Sequence, residues 1–573
     1  MEMRMHLQIF KEYFRTKYLY VMVLCVVIII GTVVSGIVPF MYGKIIDSIT
    51  ASDFEEVVNY LGINFLLMSF TIVVSYIEDY LGNYIILSIT NEVKANLFQN
   101  IVYLKSGIID KYSSGELINR VEGDVGGIVS TYLEFITSII QVLFNLAISL
   151  YFIFGISKKL SSFAIAFIPI MYLINMIFKK KTKKVLTKQK VYNDKYFGYI
   201  NERLSNIFGI KAFQLEDISY QKLTKLYKEN EKISKEAWII NGELGSLKGL
   251  ADSAFSFGIL FIASKLIVLG KLTIGNLVSF NEYISRLFDS VSKIMSLNMS
   301  FNNISVSIER INEIKLSDSE NHQNKLMNEE ETYIHKISQI EFRKVTFSYD
   351  SKKIIDKASF EISSNGFYAF VGINGSGKST IFKLLVNFYK CNEGTVLLNG
   401  IEISKIPLCD LRHHITYISK EIFIINDTII NNITLDYLKQ DLDLIKKICD
   451  RVGIDNFIEE LPDKYQTIIG ENGLKLSSGL KQRLAIARAI YRNSSVILLD
   501  EGTSDLDGKI EQEVVSLLRE EAVTRIIILI SHKNSSIKYC DKIFLLNNGN
   551  IKTSGTHYEL INSDNLYKEM FQD

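Results

Sequence analysis

A glycine-rich stretch, Val371–Thr380, lies between a predicted strand and a predicted helix. The apolar run before it predicts a buried strand that ends at Val371, and Thr380–Leu385 predicts the start of a helix. The pattern G-x-x-x-x-G-K-[ST] is matched at Gly372, Gly377, Lys378 and Ser379. A glycine-rich turn before a helix is the alternative, but it would not require Lys and then Ser at those two places. The sequence therefore predicts a phosphate-binding loop in an α/β domain.

The residue types of this loop suit a polyphosphate ligand. Glycines allow the backbone to curl around an anion, so that successive amides point inward at the helix N-terminus. Lys378 is predicted to reach the β- and γ-phosphates of ATP, and Ser379 is predicted to bind Mg²⁺ through its hydroxyl. The predicted nucleotide-binding residues of the loop are Gly372, Asn374, Gly375, Ser376, Gly377, Lys378, Ser379 and Thr380.

Two adjacent acids follow a second predicted buried strand, Ser495–Leu499. Asp500 is predicted to hold Mg²⁺, directly or through water, and Glu501 to act as the general base that polarises the attacking water. An ordinary strand with solvated acids at its end is the alternative. Because a phosphate loop lies upstream in the same domain, we favour the catalytic interpretation.

The first half of the chain predicts a membrane domain. Hydrophobic residues make up 48% of the sequence, and Tyr18–Tyr42 carries no charge, which at about 1.5 Å per residue is ample to cross a hydrocarbon core of about 30 Å. This span is too long for a signal-peptide core, so we expect it to be retained. Five further spans are predicted at Val57–Ile77, Ile128–Ile156, Leu160–Phe178, Leu250–Leu269 and Ile274–Leu297.

Lysines and arginines near the span ends predict the orientation. They cluster before the first span and again at Lys179–Lys184, so both of these ends are expected inside; Lys158 and Lys159 in the third connection weaken this assignment without reversing it. An even number of spans returns the chain to the cytoplasm, where ATP is. The two long inside connections alternate apolar and charged residues at helical spacing, so we expect the spans to continue as helices beyond the bilayer. We expect a multi-pass protein of a bacterial cell membrane.

Charged residues in the sixth predicted span have two interpretations. Glu282, Arg286 and Asp289 share one helix face, so they form either a self-satisfied ion cluster or the lining of a substrate cavity. The net charge of +1 gives no reason to expect a nucleic acid partner. Five cysteines without metal-ligand spacing fit a reducing, cytosol-facing setting.

A short segment between the acids and the phosphate loop is specific to one family. Leu476–Arg483, which reads Leu-Ser-Ser-Gly-Leu-Lys-Gln-Arg, resembles the LSGGQ signature of ATP-binding cassette (ABC) transporters. Asp505–Asp507 resembles the D-loop of that family, and Ser531–His532 resembles its H-loop. Tyr349 resembles the aromatic residue that stacks on adenine, although it could equally be an ordinary strand residue.

The resemblance covers nearly the whole chain and implies an exporter-type half-transporter that pairs with a second copy or a relative. The implied fold is an all-α six-helix transmembrane domain (1–316), a linker (317–337), and an α/β P-loop ATPase domain (338–573) with an antiparallel β subdomain and a helical subdomain. Connections around Asp110–Gly115 and Gly209–Glu216 are implied to transmit coupling. The nucleotide contacts implied by resemblance are Tyr349, Lys420, Ser477, Ser478, Gly479 and Asp507, and His532 is implied to be catalytic with Lys378 and Glu501.

Two departures from the family pattern concern catalysis. Lys420 stands where the family has the Q-loop glutamine, and a cation there cannot accept a hydrogen bond from water or ligate Mg²⁺, although it could contact phosphate. In the signature, Ser478 replaces a glycine and Leu480 replaces the glutamine, whereas Ser477 and Gly479 are kept. Since the chain's own catalytic residues are present and the part it lends to a partner is altered, we expect a heterodimer; a homodimer with slow turnover is the competing hypothesis.

Three functions fit these observations. The leading hypothesis is an ATP-driven exporter of an amphipathic small molecule, drug, lipid or peptide, and no peptidase domain is expected before Tyr18 to trim a peptide cargo. An importer of the same architecture, for example for a metal chelate, is possible because fold does not fix direction. A low-turnover ATP-binding membrane sensor is the third, motivated by Lys420 and the altered signature.

Overall fold

The computed structural model describes residues 13–320, 333–350, 352–435, 440–470, 476–502 and 508–571. The chain forms two compact units, one of Met1–Leu97 with Ile118–Asn312, and the other of Phe98–Leu117 with Glu313–Asp573. The three boundaries, at residues 97/98, 117/118 and 312/313, all fall inside helices rather than in loops. The predicted boundary at residue 316 therefore stays a prediction.

The first unit is helical, and its described helices follow the predicted spans. They are α1 Tyr18–Thr50, α2 Phe54–Val102, α3 Ser106–Ile109, α4 Ser114–Asn119, a π-helical turn Arg120–Asp124, α5 Val125–Ile156, α6 Lys158–Ser205, α7 Ile207–Ala212, α8 Glu216–Val268 and α9 Ile274–Leu316, of which α3, α4 and the end of α2 lie in or reach the second unit. The continuation of the spans beyond the bilayer is confirmed, because α2, α6 and α8 have 49, 48 and 53 residues and at about 1.5 Å per residue far exceed a bilayer core.

Five helical stretches in the described part of the chain are long and apolar enough to cross a membrane. They correspond to the first five predicted spans. The sixth long helix, α9, covers the sixth predicted span but is not among these five; it carries Glu282, Arg286, Asp289 and Lys293.

Glycines allow α1 and α9 to meet backbone to backbone. A Cβ on Gly275 would lie 1.9 Å from the Gly43 carbonyl oxygen, so neither helix can carry a side chain there. The carboxylate of Asp47 on α1 stabilises this contact. Its Oδ1 accepts a hydrogen bond from the Gly275 N–H at 2.8 Å, and its Oδ2 accepts one from the Thr273 hydroxyl at 2.8 Å. Deeper along the same pair, the buried Tyr283 hydroxyl donates to a carbonyl of α1 at 2.7 Å.

Of the two interpretations of the charged residues on α9, the self-satisfied ion cluster is wrong. Within the described residues no ion pair joins Glu282, Arg286 and Asp289; the two acids are exposed and Arg286 is half-buried. Helical spacing brings the Cβ atoms of such residues together but leaves the charged ends of long side chains free to diverge. The polar contacts that do form cross between helices: Lys293 pairs with Glu134 at 2.9 Å, and Gln141 donates to Glu78 at 2.8 Å.

The second unit contains two sheets. The described strands are β1 Ile340–Tyr349, β2 Lys352–Ile362, β3 Gly366–Gly372, β4 Glu393–Leu398, β5 Ile401–Glu402, β6 Ile415–Ile418, β7 Val496–Asp500, β8 Ile526–Ile530, β9 Lys542–Asn547 and β10 Asn550–Gly555. A four-stranded antiparallel sheet has the order β2-β1-β4-β5, and a six-stranded sheet has the order β10-β9-β3-β8-β7-β6. All neighbours in the larger sheet are parallel except β9 and β10.

The larger sheet carries the core of this unit. Every residue of β3, β7 and β8 is buried, as expected for parallel strands that are covered on both faces. The helices of this part are α10 Lys378–Leu385, α11 Leu408–His414, α12 Ile429–Thr434, α13 Leu442–Val452, α14 Asp455–Glu459, α15 Ser478–Tyr491, α16 Gly508–Glu521, α17 Asn534–Ile537, α18 His557–Ser563 and α19 Asn565–Phe571, with 3₁₀ turns at Ile403–Lys405 and Lys464–Gln466. The predicted fold class, helical membrane domain followed by an α/β nucleotide domain with an antiparallel subdomain, is confirmed.

Candidate functional site

The glycine-rich loop runs from the end of β3 to the start of α10, as predicted. Gly372 has a φ of 152° and a Cβ there would lie 2.3 Å from the Leu546 carbonyl oxygen. Gly377 has a φ of 102° and a Cβ there would lie 2.5 Å from Ile355 Cδ1. Both positions require glycine because of backbone conformation and space together. The loop between β3 and α10 can therefore adopt this conformation only without side chains at these two positions.

Lys378 is the buried cation of this loop. Its Nζ donates to the carbonyl oxygens of Gly372 at 2.8 Å and Ile373 at 3.1 Å, and the residue is 7% exposed. Burial lowers the pKa of its ammonium, whereas the carboxylates of Glu501 and Asp500 oppose that shift. Hydrogen bonds from an ammonium to anionic oxygens are stronger than those to neutral carbonyls. A phosphate would therefore replace the loop carbonyls as the acceptor for Lys378.

The other loop side chains also fit a polyphosphate. The hydroxyl of Ser376 is buried and has no hydrogen-bond partner among the described residues, so the loop holds a donor that lacks an acceptor there. Asn374 and Gly375 are exposed at the tip, Ser379 is half-buried at the first turn of α10, and Thr380 is buried. The residues present therefore fit the phosphates of ATP.

The two acids lie at the carboxyl end of β7, in the same sheet as β3, the strand that precedes the phosphate loop. Asp500 is 6% exposed and accepts a hydrogen bond from the Tyr417 hydroxyl at 3.1 Å. Glu501 follows with a φ of 56°, unusual for a residue with a side chain, and its N–H donates to the Ile530 carbonyl at 3.0 Å. Sequence reasoning missed Tyr417, which holds Asp500 from the neighbouring strand β6.

A magnesium ion could be held by Ser379 and Asp500, which offer the hard oxygen ligands that it prefers. The described residues contain no group of three or more His, Cys, Asp or Glu side chains arranged to hold a metal ion. Mg²⁺ at this site would therefore take its remaining ligands from phosphate oxygens and water, as is usual for Mg²⁺ with a nucleotide.

Lys420 follows β6 and pairs with Glu501. Its Nζ lies 2.7 Å from Glu501 Oε2, and the side chains are 72% and 26% exposed, respectively. Sequence reasoning identified Lys420 as unusual but assigned it to phosphate, not to the catalytic acid.

His532 comes directly after β8 and Ser531. Burial and the charge of Lys378 lower the pKa of its imidazole, Glu501 opposes this, and Lys420 adds to it. His532, Lys378, Asp500 and Glu501 therefore lie near the carboxyl ends of neighbouring parallel strands, where α/β sheets bind ligands.

Two tyrosines contact each other beside Lys383 of α10. The Tyr349 ring, at the end of β1, meets the Tyr389 ring edge to face at 5.1 Å, and Lys383 Nζ of α10 lies 6.0 Å from the Tyr349 ring centroid. The Tyr389 hydroxyl donates to the Asp110 carboxylate, next to α3. Nothing in the sequence pattern indicated Tyr389.

The signature segment forms the N-terminus of α15. The Ser477 hydroxyl caps the helix by accepting from the Leu480 N–H at 3.3 Å, and Ser478 begins the helix, exposed. Farther along α15, Arg488 donates to the carbonyls of Asn432 at 2.7 Å and Phe423 at 2.8 Å, and burial lowers its pKa to about 10. Gly479 lies in the first turn, and Asp507 lies outside the described residues.

Comparison with known proteins assigns the chain to a family. Residues 21–291 match the family model of the ABC transporter transmembrane region, and residues 355–504 match the family model described as ABC transporter. The lactococcin-G-processing and transport ATP-binding protein LagD of Lactococcus lactis is 30% identical over 94% of this chain and 76% of its own length. An export ATP-binding/permease protein of Rickettsia typhi is 30% identical over 89% of this chain and 88% of its own length.

A solved structure has the same fold. A bacterial Atm1-family ABC exporter with ATP bound aligns with a TM-score of 0.82 at 24% identity, over 97% of this chain and 98% of that one. The chain therefore belongs to the ABC transporter family, as an exporter-type, multi-pass membrane protein whose ATPase domain is coupled to transport.

Proposed function

We propose that this chain is one half of a dimeric exporter that hydrolyses Mg²⁺-ATP to move an amphipathic small molecule, drug, lipid or peptide out of the cytoplasm of a bacterium. The observation that carries the proposal is the meeting of Lys378, Asp500, Glu501 and His532 at one edge of one sheet, in a chain that also carries long apolar helices. A cation, a metal-binding acid and a base are groups that catalyse phosphoryl transfer to water, and the imidazole adds a further hydrogen-bonding group. The domain division at 316 and 338 is part of this proposal.

Each residue has one role in the proposed reaction. Lys378 exchanges the loop carbonyls for β- and γ-phosphate oxygens, and Ser376 donates its unpartnered hydroxyl. Bound Mg²⁺ would neutralise phosphate charge, with Ser379 and Asp500 holding it. Glu501 accepts the proton of the attacking water, and His532, neutral at pH 7 because its pKa is lowered, hydrogen-bonds to the γ-phosphate or the water. Tyr349 offers a ring to the adenine.

The site needs a second chain. Ser477, Ser478 and Gly479 lie at a helix N-terminus, whose amides and dipole suit a phosphate bound on another cassette. Because Ser478 and Leu480 depart from the family pattern, we propose a heterodimer in which the partner completes the site on this chain and the other site turns over poorly.

Purification from the native host tests the heterodimer. We expect a tagged copy of this chain to bring down a second six-span cassette protein in equal amount. A homogeneous dimer of this chain with full transport activity would defeat the heterodimer.

Inside-out vesicles test the direction and the cargo class. The probes are a fluorescent lipid analogue, an amphipathic peptide and a hydrophobic dye, each supplied outside with ATP. ATP-dependent accumulation inside the vesicles is the expected result, since their lumen corresponds to the cell exterior. ATP-dependent efflux of a preloaded probe would indicate an importer, and no movement despite retained hydrolysis would favour the sensor. Vesicles with Glu501→Gln are the matched control.

A further inference from the structure

Lys420 and Glu501 are brought together by the register of two strands. Strands β6 and β7 are parallel neighbours, and Ile418 lies opposite Leu499. Lys420 and Glu501 each stand two residues beyond this pair, so they leave the sheet at the same level and on the same edge. The register therefore places the two residues within reach of each other, and their side chains meet at 2.7 Å.

Lys420 contacts the Glu501 carboxylate, which hydrolysis needs as the general base. A general base must present a carboxylate oxygen to the attacking water within hydrogen-bond distance. Glu501 Oε2 instead lies 2.7 Å from the Lys420 ammonium, so this oxygen is already engaged by a cation. In the same chain the metal-binding acid, Asp500, is held by a neutral tyrosine hydroxyl and carries no such ion pair with a described residue.

We propose that Lys420 restrains Glu501, so that water attacks ATP only in the fraction of cassettes in which this ion pair is open. This proposal rests on the proposed role of Glu501 as the base. Lys420 is then a positioning residue for the reaction: it lengthens the time for which ATP stays bound before it is cleaved, without contributing a reacting atom.

The strength of the pair predicts the size of the effect. Partly exposed ion pairs hold their partners only weakly, and the Lys420 side chain is 72% exposed. Removing the cation should therefore raise kcat for ATP hydrolysis by about 1.5- to 5-fold, with little change in KM. The exposure of Lys420 also means that its replacement should not disturb folding.

The test compares variants of the full chain, purified with its co-purifying partner in lipid nanodiscs. Lys420→Gln removes the charge and Lys420→Arg keeps it. Lys446→Gln is the matched control, because Lys446 is an exposed lysine of the same cassette that pairs with Glu459 at 3.7 Å, away from the phosphate loop. Hydrolysis is also measured between about 0.05 M and about 0.5 M salt, since salt screens exposed ion pairs.

The expected result is a higher kcat for Lys420→Gln, wild-type rates for Lys420→Arg and Lys446→Gln, and a salt-dependent rise of kcat in the wild type that Lys420→Gln lacks. An unchanged or lower kcat in Lys420→Gln, or an equal rise in Lys420→Arg, overturns the restraint. The Glu501→Gln variant separates the role of Glu501 as the base from its restraint by Lys420. If Glu501→Gln leaves hydrolysis intact, Glu501 is not the base and both proposals fail. If it abolishes hydrolysis, Glu501 remains the base, and the Lys420 variants alone decide the restraint.

Discussion

The Tyr389 hydroxyl donates a hydrogen bond to the Asp110 carboxylate, across 279 positions of sequence. The same ring contacts Tyr349 edge to face at 5.1 Å. Asp110 lies between the short helices α3 and α4, in the connection for which resemblance implies a coupling role. A continuous set of contacts thus joins the proposed adenine-stacking residue to that connection within one compact unit.

Replacing Tyr389 with phenylalanine removes the hydrogen bond and keeps the ring. A bond to a charged acceptor contributes about 1.5–3 kcal/mol when buried and less when exposed, so we expect the ratio of transport to ATP hydrolysis to fall by about two- to ten-fold. Hydrolysis itself should change little, because Tyr389 lies outside the sheet edge that carries the acids. Tyr558→Phe, at an exposed tyrosine of the same cassette, is the control. An unchanged ratio would show that this contact carries no coupling.

Two glycines of the phosphate loop should respond differently to alanine. Gly372→Ala drives a Cβ to 2.3 Å from a backbone oxygen at a φ of 152°, and should cost about 2–5 kcal/mol of stability. Gly375→Ala, at a φ of 82° with no atom within 4 Å of the new Cβ, should cost only about 1–2 kcal/mol. Thermal unfolding of both variants measures the order; equal losses would argue against the clash with Leu546.

His557 should make the cassette less stable in acid. It is buried, its Nδ1 lies 2.8 Å from the Tyr567 hydroxyl, and burial, with a smaller contribution from Lys538, lowers the pKa of its imidazole. Since the unfolded chain protonates His557 near pH 6.5 and the folded chain protonates it only at lower pH, its stabilising effect is full above about pH 7 and is lost as the pH falls.

The unfolding midpoint of the wild type should therefore drop more between pH 7.5 and pH 5.5 than that of His557→Gln. Comparing the two drops cancels the contribution of the other histidines. Parallel drops would mean that His557 does not titrate differently in the folded and unfolded states.

The elements that sequence predicted best are those fixed by local pattern. Long apolar runs predicted the positions of the membrane helices, and the strand–glycine loop–helix order predicted the loop around Lys378. Spacing on one helix left two interpretations of Glu282, Arg286 and Asp289, and the ion cluster does not form among the described residues, because spacing positions Cβ atoms but not the ends of long side chains.

Contacts between distant segments could not be predicted in the same way. Lys420 was recognisable as a departure from the family pattern, but its pairing with Glu501 depends on the register of β6 and β7. Tyr417 and Tyr389 carry no sequence signal at all, since their partners are set by which strands and connections pack together.

Whether Glu501 is the base for ATP hydrolysis in a transport cycle is decided by the Glu501→Gln variant. The substitution keeps the shape of the side chain and removes its ability to accept a proton. In the purified, partner-containing transporter we expect a loss of ATPase activity of at least about 100-fold at this chain's site, with ATP binding retained through Lys378. Undiminished hydrolysis by a variant that still binds ATP would exclude Glu501 as the base.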